Sequence, residues 1–151
     1  MATSAVCVTG LTPINISEVF NPIGHSIMML LIEVGGLGFM SVLLILALMF
    51  KNRVSIQSMM LIRETLNLDN LGGSVKLLMF VVKFSLTIQL IGALLLSTQF
   101  IPLYGLKKGV FFSIFHSISA FCNAGFDLFG DSLMGFTNNA FILVVISLLI
   151  L

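Results

Sequence analysis

Two stretches of the chain carry residue types that could bind an ion. Residues 4–12 (SAVCVTGLT) and 119–127 (SAFCNAGFD) align without gaps at a constant offset of 115, and Ser, Ala, Cys and Gly recur in four of the nine positions. Each copy leads into a loop and then a long apolar run, so the pair reads as a duplicated unit. The competing reading is chance similarity in a biased composition. The chemistry open to such a loop is coordination by backbone. A dehydrated K+ ion needs several oxygen ligands at once, and rings of carbonyls can replace its hydration shell. To aim successive carbonyls at one point the backbone must visit conformations that are costly for a residue with a Cβ and cheap for glycine. That gives Gly10 and Gly125 a physical task. The flanking side chains of Val8, Thr9, Leu11, Asn123, Ala124 and Phe126 are neutral, which fits carbonyl coordination better than a carboxylate cage. Asp127 follows the second glycine. It would either concentrate cations at an outer mouth or cap its own loop as an Asx turn.

Other polar residues are few. Glu33 interrupts an apolar run, and an intramembrane carboxylate is a functional-site candidate by default; the alternative is a hydrogen-bonded packing residue. Gly35, Gly36 and Gly38 follow at once, and three glycines in four positions weaken a helix. They point to close helix packing or to a bend. Cys7 and Cys122 allow one disulfide at most and otherwise read as small buried apolar residues. His25 and His116 have no neighbouring carboxylate or Cys cluster in sequence. Ser119 lies three residues from His116, but nothing nearby in sequence orients the imidazole for nucleophilic catalysis.

The elements that must position these residues are apolar. Of 151 residues, 58% are hydrophobic and 9% charged, and the mean hydropathy is +1.17. Soluble domains carry roughly 25% charged residues, and a chain this small cannot hide so much apolar surface from water. The net charge of +1 supplies no polyanion-binding footprint. The class is an integral membrane protein in contact with a lipid bilayer. Residues 22–50 read as one long helix with Pro22 in its first turn, 55–67 as a short amphipathic helix, 67–74 as a turn, 75–98 as a spanning helix, 100–108 as a loop with Pro102 and Gly105, and 139–151 as the beginning of another apolar helix. Residues 109–121 are apolar but too short to span, so they read as a half-membrane, re-entrant helix feeding the second loop. The basic residues Lys51, Arg53, Arg63 and Lys76 place the 51–76 linker in the cytoplasm.

At these residues the sequence resembles the Trk/Ktr/HKT superfamily of potassium transporters, and within it the KtrB-type membrane subunits. The resemblance runs through AVCVTGL at 5–11, EVGGLGFM at 33–40, KKG at 107–109 and HSISAFCNAGFDL at 116–128. It implies an all-α polytopic membrane protein built from four helix–pore loop–helix repeats of potassium-channel-like type, of which about one and a third are present. Residues 1–12 would be the end of the first pore helix and its filter loop. Residues 13–50 would hold the outer loop and inner helix of repeat one, and 51–74 the cytoplasmic linker. The outer helix of repeat two would be 75–98, its outer loop, pore helix and filter loop 99–127, and its inner helix would begin within 128–151.

The resemblance further implies K+ uptake across the bacterial plasma membrane, without enzymatic chemistry or a covalent cofactor, and with Na+ as an activator. The filter backbone would be Val8, Thr9, Gly10 and Leu11 with Asn123, Ala124, Gly125 and Phe126, with Asp127 at the outer mouth. Expected partners are a second copy of the subunit and a cytoplasmic nucleotide-binding regulatory subunit. Cys122 stands where relatives often have Asn and carries no ligand assignment. The 151 residues alone are expected not to conduct. The rival readings are a secondary transporter for another small solute, which would need charged residues near the helix breaks, and a non-conducting membrane fragment.

Overall fold

A computed structural model of the protein describes residues 2–12, 16–38, 71–130 and 132–151. The expected amphipathic helix at 55–67 and most of the 51–74 linker lie outside the described residues. The described elements are helical: α1 (Ala2–Val6), α2 (Ile16–Val19), α3 (Pro22–Gly36), α4 (Leu71–Tyr104), α5 (Leu106–Phe121), a 3-10 turn (Met134–Phe136) and α6 (Ala140–Ile150). The chain divides into two compact units, residues 1–36 with 86–151, and residues 37–85.

Pro22 opens α3, where its missing N–H costs nothing. Within the helix expected over 22–50, α3 ends at Gly36, and residues 39–50 lie outside the described residues. Leu37 is in a turn, and Gly38 takes φ +83, which no continuing right-handed helix allows. The helix expected over 75–98 runs longer, from Leu71 to Tyr104, and absorbs both the expected turn at 71–74 and much of the expected loop at 100–108. Pro102 sits in its last turn, so it removes a single interior hydrogen bond from a helix already about to end. One residue then makes the corner. Gly105, at φ +78, donates its N–H to the Ile101 carbonyl (2.9 Å) and accepts that of Gly109 (2.8 Å).

That corner folds α5 back on α4 at backbone contact. A Cβ on Gly109 would lie 2.7 Å from Ile101 Cα and 2.8 Å from the Phe100 carbonyl. Higher up, a Cβ on Gly92 would meet Ser117 Oγ at 2.7 Å and Leu149 of α6 at 2.8 Å. Ser117 is fully buried and donates its hydroxyl to the Gln89 carbonyl at 2.6 Å, pinning α5 to α4. Asn139 caps α6 by accepting the Ile142 N–H (3.4 Å), and its amide donates to Gln99 of α4 (3.1 Å).

Two apolar cores result. Ala5, Met28, Ile32 and Phe115 join α1, α3 and α5. Leu96, Phe100, Ile142 and Leu149 join α4 to α6. Residues 79–104 of α4 have a mean hydropathy of 2.0 and make, among the described residues, one helix long and apolar enough to cross a membrane. Its flanks stay uncovered, with Leu90, Leu94 and Leu103 exposed, as a lipid-facing helix requires.

Candidate functional site

The two repeated stretches fold alike, bond for bond. Cys7 N–H donates to Thr3 (2.8 Å) and Cys122 N–H to Ile118 (2.9 Å). Val8 N–H donates to Ala5 (3.3 Å) and Asn123 N–H to Ala120 (3.0 Å). Thr9 N–H donates to Ser4 (3.0 Å) and Ala124 N–H to Ser119 (2.8 Å). Every pair keeps the offset of 115. The last two bonds in each copy, spanning three and five residues, form a Schellman cap, which closes a helix by turning one residue left-handed. Those residues are Val8 at φ +53 and Asn123 at φ +59. Asn tolerates the conformation; a β-branched Val there is a strained outlier. Two residues on, Gly10 (φ +69) and Gly125 (φ +70) are left-handed again. The glycines of the repeat therefore stand where their lack of a Cβ is used.

The structure also brings the two glycines together. A Cβ on Gly10 would lie 2.7 Å from the Ala124 carbonyl oxygen and 3.5 Å from Gly125 Cα; one on Gly125 would lie 3.8 Å from Gly10 Cα. Two loops more than a hundred residues apart thus run backbone against backbone. Thr9, Leu11, Asn123 and Gly125 are exposed, whereas Ala124 and Phe126 are buried.

Helix α3 supports both loops through its glycines. A Cβ on Gly35 would collide with the Val6 carbonyl at the end of α1, and one on Gly36 with Cys122 Sγ and, at 2.7 Å, Cys122 Cβ. Gly38 takes a positive φ, which turns the chain. Glu33, one turn earlier, ties three elements together. Its Oε1 accepts from Gln89 Nε2 of α4 (3.2 Å) and its Oε2 from the Cys122 thiol (3.8 Å). Both cysteines are free thiols, and Cys7 is exposed where a buried residue was expected.

The second loop is anchored further. Ser119 Oγ donates to the Phe126 carbonyl (2.7 Å) and accepts the Phe126 N–H (3.1 Å). His116 donates from Nδ1 to the Phe112 carbonyl (2.7 Å), and its Nε2 accepts the Leu128 N–H (3.4 Å). A carbonyl only accepts and an amide N–H only donates, so these partners put the ring proton on Nδ1. Its ring stacks on Phe129 with centroids 4.6 Å apart. Asp127 Oδ2 accepts the N–H groups of Gly130 (2.8 Å) and Ser132 (3.2 Å), which is the loop-capping alternative. His25 donates from Nε2 to the Ile16 carbonyl (3.1 Å) and serves the packing of α2 on α3.

Sequence reasoning missed Ser119, Gln89 and His116 as supports. Ser119 had a signal, since it is one of the four repeated identities. Gln89 also had one, as an amide inside the uncharged run 84–106. Nothing in the spacing connects His116 to Leu128.

All-helical architecture among the described residues, a spanning-length apolar helix and an apolar exposed surface fit a helical membrane protein. The chain belongs to the TrkH family, described as cation transport protein, which it matches over residues 1–151. It is 48% identical over 150 residues to the potassium/sodium uptake protein NtpJ of Enterococcus hirae, covering 99% of this chain and 33% of that protein. It is 39% identical over 148 residues to the Ktr system potassium uptake protein B of Bacillus subtilis, covering 98% and 33%. To the protein of the same name from Vibrio alginolyticus it is 40% identical over 138 residues, covering 91% and 30%. The chain thus spans about a third of the length of these relatives.

Proposed function

We propose that residues 8–11 and 123–126 are two neighbouring strands of a K+-selective filter in a transporter of the plasma membrane. The observation that carries this reading is the repeated pair of left-handed positions, 8 with 10 and 123 with 125, meeting at Gly10 and Gly125. Alternating left- and right-handed residues turn consecutive carbonyls toward one side of a strand, the arrangement that replaces an ion's water. The carbonyls just before the glycines, of Val8, Thr9, Asn123 and Ala124, are the proposed ligands. The helices α1 and α5 end at the loops, and their C-terminal partial negative charge favours a cation.

K+ as the cargo is supported by the family and by the names of the relatives, two of which are potassium uptake proteins and one a potassium/sodium uptake protein. Two strands do not close a four-strand ring, so conduction requires strands supplied by the rest of such a transporter. Na+ activation, a homodimer and a cytoplasmic nucleotide-binding subunit are carried by the resemblance to KtrB-type subunits. Asp127 belongs to the rim of the second loop, where its charge acts on arriving cations while its carboxylate holds the turn.

The test exchanges this chain for the matched third of the Enterococcus hirae relative and expresses the full-length hybrid in bacteria deficient in K+ uptake. Growth at low K+ is expected, and Gly125→Ser in the hybrid is expected to lower the K+-over-Na+ uptake ratio. A hybrid that reaches the membrane without restoring growth, or a Gly125→Ser hybrid with an unchanged ratio, overturns the reading.

A further inference from the structure

The two loops share a backbone conformation but differ in how they are held. We propose that Ser119 is a positioning residue that locks the far end of the second loop, and that this one-sided bracing sets discrimination between K+ and Na+. The inference rests on the filter reading above. Ser119 is 3% exposed, in the last turn of α5. Its backbone carbonyl holds Ala124, and its hydroxyl both donates to and accepts from the backbone of Phe126. Gly125 is therefore suspended between two attachments to one helical residue. The Phe126 side chain, 3% exposed in the core with Ile32 and Phe115, fixes the far end a second time. With its carbonyl occupied by the Ser119 hydroxyl, Phe126 acts as an anchor, and the ligand stretch ends at Gly125.

The first loop lacks this arrangement for a reason visible in the sequence. Ser4 is the repeat partner of Ser119, but Thr9 stands where the second loop has Ala124. The Thr9 hydroxyl lies 3.0 Å from Ser4 Oγ and captures it. Leu11, the partner of Phe126, is 75% exposed. Replacing one alanine by threonine thus diverts the serine from the far end of the loop to its near end. The consequence is mechanical. Na+ is smaller than K+, and a strand that can draw inward accommodates it. A strand pinned on both sides of its glycine resists that contraction and keeps its carbonyls at a spacing suited to the larger ion.

The experiment uses the full-length hybrid and reads the ratio of K+ to Na+ uptake in the same cells. Ser119→Ala is expected to lower the ratio about three- to tenfold, the range of one buried hydrogen bond. Ser119→Thr, which keeps the hydroxyl, is expected to stay within about twofold of the parent. Ser113→Ala is the matched control, because Ser113 is equally buried on the same helix and donates only to its own Gly109 carbonyl at 2.7 Å. It is expected to change the ratio by less than about twofold, because its bond closes within α5 and shares no partner with either loop. Should Ser119→Ala fail to accumulate, Ser119→Cys, a weaker donor of similar shape, is expected to give an intermediate drop. A Ser119→Ala or Ser119→Cys ratio equal to that of Ser113→Ala overturns the inference. Gly125→Ser separates the two levels. If it lowers the ratio while Ser119→Ala does not, the bracing is wrong and the filter stands; if it leaves the ratio unchanged, the filter reading falls with it.

Discussion

Alanine at Gly10 and alanine at Gly125 are the same change at repeat-related positions, and the structure predicts that they are unequal. Both glycines are left-handed, at φ +69 and +70, so either alanine pays the conformational cost of about 1–2 kcal/mol for an L residue there. The space around them differs. On Gly125 the added methyl meets only Gly10 Cα, at an ordinary 3.8 Å. On Gly10 it lies 2.7 Å from the Ala124 carbonyl oxygen, inside the 3.0 Å that real Cβ contacts essentially never breach. Ala124 is 1% exposed and its N–H is bonded to Ser119, so it is poorly able to retreat. The first loop must move instead, at an overpacking cost of about 1–3 kcal/mol. Gly10→Ala is therefore expected to exceed Gly125→Ala by about 1–3 kcal/mol, roughly 5- to 150-fold in an equilibrium that depends on strand spacing. The assay is the K+-over-Na+ uptake ratio of the full-length hybrid, with thermal unfolding of the purified protein alongside. Equal effects, or a larger effect at Gly125, would refute the claim that the two loops are in backbone contact.

Three further outcomes follow from particular contacts. Asp127→Asn keeps an oxygen to accept the Gly130 and Ser132 N–H groups and removes only the charge, so it should weaken K+ capture at low ionic strength and leave stability within about 0.5 kcal/mol; Asp127→Ala should lose about 1–2 kcal/mol of stability as well, as read by thermal unfolding. Ser117→Ala empties a fully buried bond to the Gln89 carbonyl and should cost about 1–3 kcal/mol of stability, with a growth defect at low K+ only where the protein fails to accumulate. Gly36→Ala drives a methyl into Cys122 at the start of the second loop; it should destabilise by about 1–3 kcal/mol, and Cys122→Gly in the same chain, which removes both the Sγ and the Cβ from its path, should recover more of that loss than Cys122→Ala in the same unfolding measurement.

The backbone requirement of the candidate site was legible before folding was considered. The left-handed glycines were marked by the repeat, because a residue without a Cβ recurring at one place in two loops signals a backbone requirement. The short apolar run of 109–121 likewise announced a helix too short to span a bilayer, and α5 ends at Phe121 after 16 residues. Other expectations failed where a local signal was overruled. Pro102 and Gly105 read together as a loop, yet the proline falls in the last turn of α4, where a missing N–H matters little, and the glycine alone makes the corner. The apolar run beyond residue 36 promised a continuous helix, and hydropathy is silent about the positive φ of Gly38 that ends it.

By itself, the sequence determined the solvent and the motif. A chain 58% hydrophobic and 9% charged has to satisfy its backbone within a bilayer, and helices do so segment by segment. Its duplicated SA-x-C-x-x-G pattern encodes two equal helix caps, since capping depends on residues within one turn of each other. Tertiary structure decided everything that depends on residues far apart meeting. It put Gly10 against Ala124 and Gly125, set Gly35 and Gly36 of one helix against the ends of both loops, and gave Glu33 its partners Gln89 and Cys122. It also made the two loops unequal, because only the second carries its far residue into a core and onto a serine hydroxyl. Spacing along a chain records local geometry, whereas close approach between distant segments is settled by packing.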